Sequence, residues 1–214
     1  LAVGPDVTYC RVRITEPASE SWEGRGGGEV GEELILAKDL IGNVLRNHAD
    51  VIEEFPGAAL VGKSYSPLFP GAIERGPSES AWTIVSADFV TTTDGTGVVH
   101  TAVMYGEDDY RLGMEVGFPA QHTVGMDGSF VSGVHENLDG RFVKDCDDEI
   151  IRLLDAQGLL YREHDYTHDY PHCWRTDHPL LYYAMDSWFV RMTAIRDQIL
   201  SHNSSVEWAP EWTG

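Results

Sequence analysis

Asp94-Gly95-Thr96-Gly97-Val98-Val99-His100-Thr101-Ala102-Val103-Met104-Tyr105-Gly106-Glu107-Asp108-Asp109-Tyr110 is the densest stretch of chemistry in the chain. Asp94, Gly95 and Gly97 supply turn-forming residues, because glycine tolerates backbone angles closed to other residues. Val98 to Ala102 then read as a short buried strand, with Val98, His100 and Ala102 on one face. After Gly106, three consecutive carboxylates open a segment in which Tyr110 and Met114 share a helical face and Gly117 can cap the end. His100 is thus expected at the exit of a strand, close to a helix whose first turn carries Glu107, Asp108 and Asp109. A histidine and an aspartate facing each other across such a turn can orient a water and hold a ligand's ammonium group. The same residues have a plain structural use. Acidic residues in a first turn complement the helix dipole, and a strand histidine is commonly a hydrogen-bonded core residue.

Outward from this stretch, strands predominate and helices fall between them. Val7 to Ile14 alternate as a strand, with Val7, Tyr9, Arg11 and Arg13 on one side and Cys10, Val12 and Ile14 on the other. Glu16 to Glu32, rich in Gly, Ser and Glu, read as a loop, and Glu33 to Ala37 as a short strand. Ile41, Val44, Leu45 and His48 follow helical spacing within Lys38 to His48. Ala58 to Ser66 and Trp82 to Val90 read as strands, on either side of a Pro- and Gly-rich excursion from Phe69 to Ser80. Asp127-Gly128 fits a tight hairpin turn. Asp145 is expected to cap a helix in which Cys146, Ile150, Leu153 and Leu154 face inward and which Gly158 stops. Leu159 to Tyr166 and Leu180 to Val190 read as strands, and Met192 to His202 as a last helix burying Met192, Ile195 and Ile199. No internal repeat is present, and the pattern favours an α+β fold.

The 214 residues suit one domain, or one domain with an appendage, and are enough to bury a core. No run is long and apolar enough to span a membrane, and no amino-terminal signal pattern is present. The chain starts at Leu1 in the middle of strand-like sequence, so it is expected to be a piece of something larger. Fifteen basic residues stand against 35 acidic ones, a net charge of −20. A protein that wraps nucleic-acid phosphates carries the opposite sign, so any such contacts belong elsewhere. Cys10, Cys146 and Cys173 are odd in number and widely spaced, which points to a reducing cytoplasm and no disulfide framework.

Gly95-Thr96-Gly97-Val98-Val99-His100-Thr101-Ala102 followed by Gly106-Glu107-Asp108-Asp109-Tyr110 resembles the signature of the inserted editing domain of isoleucyl-tRNA synthetases. Cys173-Trp174-Arg175, Pro179-Leu180, Tyr182, Ser187-Trp188-Phe189-Val190 and Trp208-Ala209-Pro210-Glu211 resemble the segment leading from that insert back to the synthetase core. Leu1 to Pro5 look like the tail of the family's threonine-rich peptide, whose body would lie upstream.

The resemblance implies a small, mostly antiparallel β-barrel with inserted helices over residues 1–170, and a connecting segment over 171–214. It also implies hydrolysis of valine mischarged onto isoleucine tRNA. Asp109 would bind the substrate's α-ammonium, and His100 would shape the pocket and help to place the water. Gly95, Thr96, Gly97, Val98, Val99 and Asp108 would complete the substrate site. No metal or cofactor is implied for editing; ATP and magnesium belong to the parent enzyme's aminoacylation. The implied partners are the aminoacylated 3′ end of isoleucine tRNA and the rest of the synthetase chain, with a cytoplasmic monomer as the default. The family often places a second cysteine, part of a zinc site, where Thr176 stands, so no structural zinc is expected there. Val103 stands where the family commonly has proline.

Other readings remain open. The site can belong to a valyl or leucyl relative, or to a non-catalytic module that positions the tRNA end. His164, His168, His172 and Cys173 have spacing suggestive of a metal site, although Tyr166, Tyr170 and Pro171 argue against a shared helical face. Thr91-Thr92-Thr93 reads as β-propensity residues at a strand end. Trp174 and Trp188 can stack on a base but read first as packing residues.

Overall fold

The computed structural model describes residues 1–18, 27–45, 47–71, 81–163, 165, 167 and 169–213. It is an α+β structure in two compact units, Leu1–Ala184 and Met185–Gly214.

The first unit is built on two three-stranded sheets. One centres on β2 (Thr8–Ile14), flanked by β3 (Glu33–Ala37) and β4 (Ala49–Pro56), all antiparallel. Cys10, Val12 and Ile14 are buried as their alternation requires, and Cys10, Val12 and Leu36 form one apolar cluster. Tyr9 is also fully buried, although it shares its face with Arg11 and Arg13; its ring packs with Val3, Ala37, Leu40 and Leu60. The other sheet has β1 (Ala2–Val3) at its centre, parallel to β5 (Val85–Ser86) and antiparallel to β6 (Val98–Val99). The expected barrel is not closed among the described residues: the strands form these two separate sheets.

Several expected elements are shorter or different. The helix expected over Lys38 to His48 is a 3-10 turn at Lys38–Leu40 and a single turn, α1 (Ile41–Val44). Leu45 is already extended, and the Thr15 and Glu16 amides bond the His48 carbonyl, which ties the end of this stretch to the continuation of β2 before β4 begins at Ala49. Ala58 to Ser66 hold a 3-10 turn and one isolated bridge, Ser64↔Thr83, in place of a strand. The strands expected over Trp82 to Val90 and Val98 to Ala102 shrink to β5 and β6. Leu180 to Val190 form no strand. The strand expected at Leu159 to Tyr166 falls partly outside the described residues, as do the loop from Glu16 to Glu32 and the excursion from Phe69 to Ser80.

Other expectations stand. Gly128 takes a left-handed turn conformation, and Val124 bridges Phe130 across it. The helix α2 (Glu107–Val116) ends at Gly117 in the left-handed conformation. A further helix, α3 (Asp147–Ala156), packs Ile150 and Leu153 on a cluster of Val134, Leu138 and Cys146. Its cap position is Cys146, with no side-chain cap bond, while Asp145 closes the preceding 3-10 turn.

The second unit contains α4 (Met192–Asn203). Met192, Ile195 and Ile199 repeat at helical spacing but are exposed, because no described element of this unit covers their face. No described helix is long and apolar enough to cross a membrane.

Candidate functional site

The glycine end of the central stretch is fixed from several sides. The Gly95 amide donates to the Asp94 side chain at 2.7 Å, and the Ala37 amide donates to the Thr96 carbonyl at 2.9 Å. The Tyr9 hydroxyl donates to the Gly97 carbonyl at 2.5 Å. Gly97 is left-handed, with φ +75°, and a Cβ there would lie 2.5 Å from that of Ala37, so both backbone angle and space demand glycine. From this anchor β6 pairs Val98 with Val3 and Val99 with Ala2, and both valines are half-buried.

Beyond β6 the chain emerges towards solvent. His100 is exposed, and Thr101 and Ala102 are partly buried. A turn closed by the Tyr105 amide on the Ala102 carbonyl, 2.8 Å, then delivers Gly106 as the residue before α2. The helix is seated by Leu112, which packs with Ala2, Ala87 and Val90. Gly113 lets Val103 lie against it, since a Cβ there would meet the valine methyls at 2.7 Å. The helix start is thereby held beside the end of β6. Tyr110 and Met114 do share a face, but it is the solvent face.

Asp109 is the third residue of α2, and its side chain turns back over the strand exit. Its Oδ2 accepts the Ala102 amide at 3.3 Å and lies where a Cβ on Gly106 would approach to 2.7 Å. Gly106 leaves room for the carboxylate there, and a side chain at this position would displace it. Although the residue as a whole is exposed, partial desolvation of the ring holds the His100 imidazole below its ordinary value, and the Asp109 carboxylate opposes this. The structure thus brings His100 and Asp109 into electrostatic reach at one edge. Asp108 points to solvent, and Glu107 pairs with Arg111 at 2.5 Å on the exposed side. Gly95 and Thr96 are exposed on the loop, whereas Gly97 is buried.

Sequence reasoning missed the aromatic group behind the Ala102–Gly106 turn. His122 stacks on Tyr183 with centroids 4.1 Å apart and planes 8° from parallel, and Tyr105 meets both rings edge-on. The Tyr105 hydroxyl accepts the amides of Thr123 and Val124, each at 2.8 Å, and the Ala184 amide donates to Met104 at 2.8 Å. These residues are 60 and more positions apart in part, and no spacing rule joins them. Thr101 Oγ1 and His122 Nδ1 are buried without a hydrogen-bond partner among the described residues.

The features considered as alternatives are dispersed. His172 Nδ1 meets the Tyr170 carbonyl at 2.9 Å, while His164 and His168 lie outside the described residues. Among the described residues no group of three or more His, Cys, Asp or Glu side chains is arranged to hold a metal. The Thr176 hydroxyl, with the amides of Arg175 and Thr176, lowers the pKa of the Cys173 thiol. Thr91 and Thr93 join hydroxyls at 3.3 Å in an irregular segment. Trp174 and Trp188, expected to pack, are exposed; the Arg175 guanidinium lies over the Trp174 ring at 4.5 Å.

No family model matches the chain. Among curated relatives, isoleucine–tRNA ligase of Clostridium novyi (strain NT) is 48% identical over 181 residues, which is 85% of this chain and 17% of that protein. Isoleucine–tRNA ligase of Bacillus thuringiensis (strain Al Hakam) is 41% identical over 211 residues, 99% of this chain and 18% of that protein. Isoleucine–tRNA ligase 2 of Bacillus cereus (strain ZK / E33L) is 40% identical over the same length, with the same coverage. The chain spans less than one fifth of the length of these relatives and, as the counterpart of one segment of them, belongs to the isoleucine–tRNA ligase family.

Proposed function

We propose that this segment is the editing part of an isoleucine–tRNA ligase and hydrolyses valine mischarged onto isoleucine tRNA. The observation that carries the reading is the Asp109 carboxylate turned back over the exit of β6, beside His100 and a glycine loop of fixed shape. A pocket that selects isoleucine by apolar contact rejects valine poorly, because one methylene is worth ~1–3 kcal/mol, a limit for which isoleucine against valine is the standard example. A second, smaller site then removes the error.

In this reading Asp109 holds the amino acid's ammonium group. A carboxylate offers about four acceptor directions, and the Ala102 amide takes one. The lowered His100 is neutral at pH 7 and can accept a hydrogen bond from the attacking water. Gly95, Thr96, Gly97, Val98 and Val99 form the wall, and Asp108 lies at the rim. Ester hydrolysis needs an oriented water and positioned substrate, with no metal or nucleotide; ATP and magnesium serve only the parent enzyme's aminoacylation. The partners are the aminoacylated end of isoleucine tRNA and the remainder of the ligase chain. The division at 170, the barrel, the monomeric state and a cytoplasmic location belong to the same reading.

The test is a deacylation panel. An isoleucine–tRNA ligase carrying this chain in place of its own corresponding segment should release valine from isoleucine tRNA and spare isoleucine on the same tRNA. Release of threonine from valine tRNA, or of neither amino acid, would sink the reading.

A further inference from the structure

We infer that Tyr9 is a positioning residue for the editing wall: its hydroxyl, carried on one sheet, fixes the Gly97 end of β6 in the other. The inference rests on the proposed editing function. Tyr9 lies in β2, the central strand of its sheet, and its ring is fully buried. Its hydroxyl leaves that sheet and makes two bonds in the other. It donates to the Gly97 carbonyl at 2.5 Å and accepts the Gly4 amide at 3.1 Å. Gly4 directly follows β1 and Gly97 directly precedes β6, and these are the strands paired through Ala2↔Val99 and Val3↔Val98. One oxygen therefore holds both chains of that ladder at the same end.

The geometry leaves no substitute. Gly4 and Gly97 are buried, so without the hydroxyl a carbonyl and an amide lose their partner out of reach of bulk water. The ring itself cannot drift, because it is walled by Gly57, where a Cβ would come within 2.8 Å of the Tyr9 ring. Burial pushes the phenol up, against the lowering by the Gly4 amide, so the hydroxyl remains protonated and a donor at neutral pH. The residues it fixes, Gly97 and then Val98 and Val99, form the proposed wall that sets which side chain enters. Sequence alternation gives no hint of this, since Tyr9 shares its register with Arg11 and Arg13.

Tyr9→Phe keeps the ring and removes both bonds. In the ligase carrying this segment, the preference for releasing valine over isoleucine from isoleucine tRNA should narrow by roughly tenfold, the order expected when part of the free energy of the two lost buried hydrogen bonds is felt at the wall. A stability control, Val134→Ala in the distant cluster with Leu138 and Cys146, should lower the melting temperature and leave that preference unchanged. Hydrogen exchange of the peptide covering residues 95–101 should quicken at least about tenfold in Tyr9→Phe, with residues 147–156 unaffected. An unchanged exchange rate at 95–101, or a release preference equal to that of the unsubstituted protein, overturns the inference. Failure of the unsubstituted protein to release valine sinks the editing reading instead, and the exchange rates still decide whether Tyr9 holds the loop.

Discussion

The two ends of the 94–110 stretch are built on opposite terms. At Gly97 the backbone is buried, bonded to Tyr9, and so close to Ala37 that no side chain fits. At Asp109, in the first turn of α2, the same stretch is partly open to solvent and its carboxylate accepts the Ala102 amide at 3.3 Å. Between them the chain rises from core to surface within the length of β6 and one turn. In the proposed reading the contrast is a division of labour: shape is set where water is excluded, and charge is presented where a ligand would reach it. Shape needs rigidity, which close packing supplies. Charge needs hydration until a ligand replaces it, since an isolated buried carboxylate would be costly.

The contrast can be broken first at the glycines. Gly97→Ala forces a left-handed alanine against Ala37 and should cost about 3 kcal/mol or more in urea unfolding, combining backbone strain with overpacking. Gly95→Ala, with nothing within 4 Å of its Cβ, meets only the backbone term and should cost about 1 kcal/mol. Equal costs would show that the anchored end is not anchored. At the charged end, His100→Leu should shift the valine-to-isoleucine release ratio by about tenfold, read in a deacylation assay, with little change in melting temperature.

Weaker effects sharpen the same picture. Because the His100 pKa lies below its ordinary 6.5, the ring is neutral at pH 7 and charges only as pH falls through that lowered value. Deacylation by the unsubstituted protein should therefore hold down to pH 6.5 and decline at lower pH, and His100→Gln should remove that limb. Stability follows the same sign: the native state resists protonation of this ring, so its contribution is present above 6.5 and is lost towards acid. The smallest effect belongs to the exposed Glu107–Arg111 pair, where Glu107→Gln should change stability by no more than about 0.5 kcal/mol.

Much of this arrangement was legible in the residues, and the illegible parts share a cause. The helix from Glu107 to Val116 and its Gly117 stop follow from local signals, an acidic first turn and a left-handed glycine, although the face shared by Tyr110 and Met114 turns out to be the solvent face and Leu112 is the residue that packs. The strand of Cys10, Val12 and Ile14 follows from alternation, and the Asp127-Gly128 turn from backbone preference. By contrast, β1, β5 and β6 are two residues each and pair across most of a hundred positions, too short for any period to show. The Lys38–His48 pattern misled because the Thr15 and Glu16 amides both bond the His48 carbonyl and tie the end of that stretch to the continuation of β2. His100 and Asp109 were placed by a nearby motif, whereas Tyr9, Tyr105, His122 and Tyr183 join the site only through tertiary contact. Met192, Ile195 and Ile199 carry the helical pattern of a buried face, yet the pattern alone does not provide the surface that buries it.

The central claim is that Asp109 grips the amino acid to be removed. The most direct measurement is the rate of valine release from valine-charged isoleucine tRNA by a ligase carrying this segment, with Asp109 intact and with Asp109→Ala. Loss of a hydrogen bond to a charged group predicts a fall of about tenfold to a hundredfold, with aminoacylation and melting temperature unchanged. Equal rates of release from the two proteins would contradict the account.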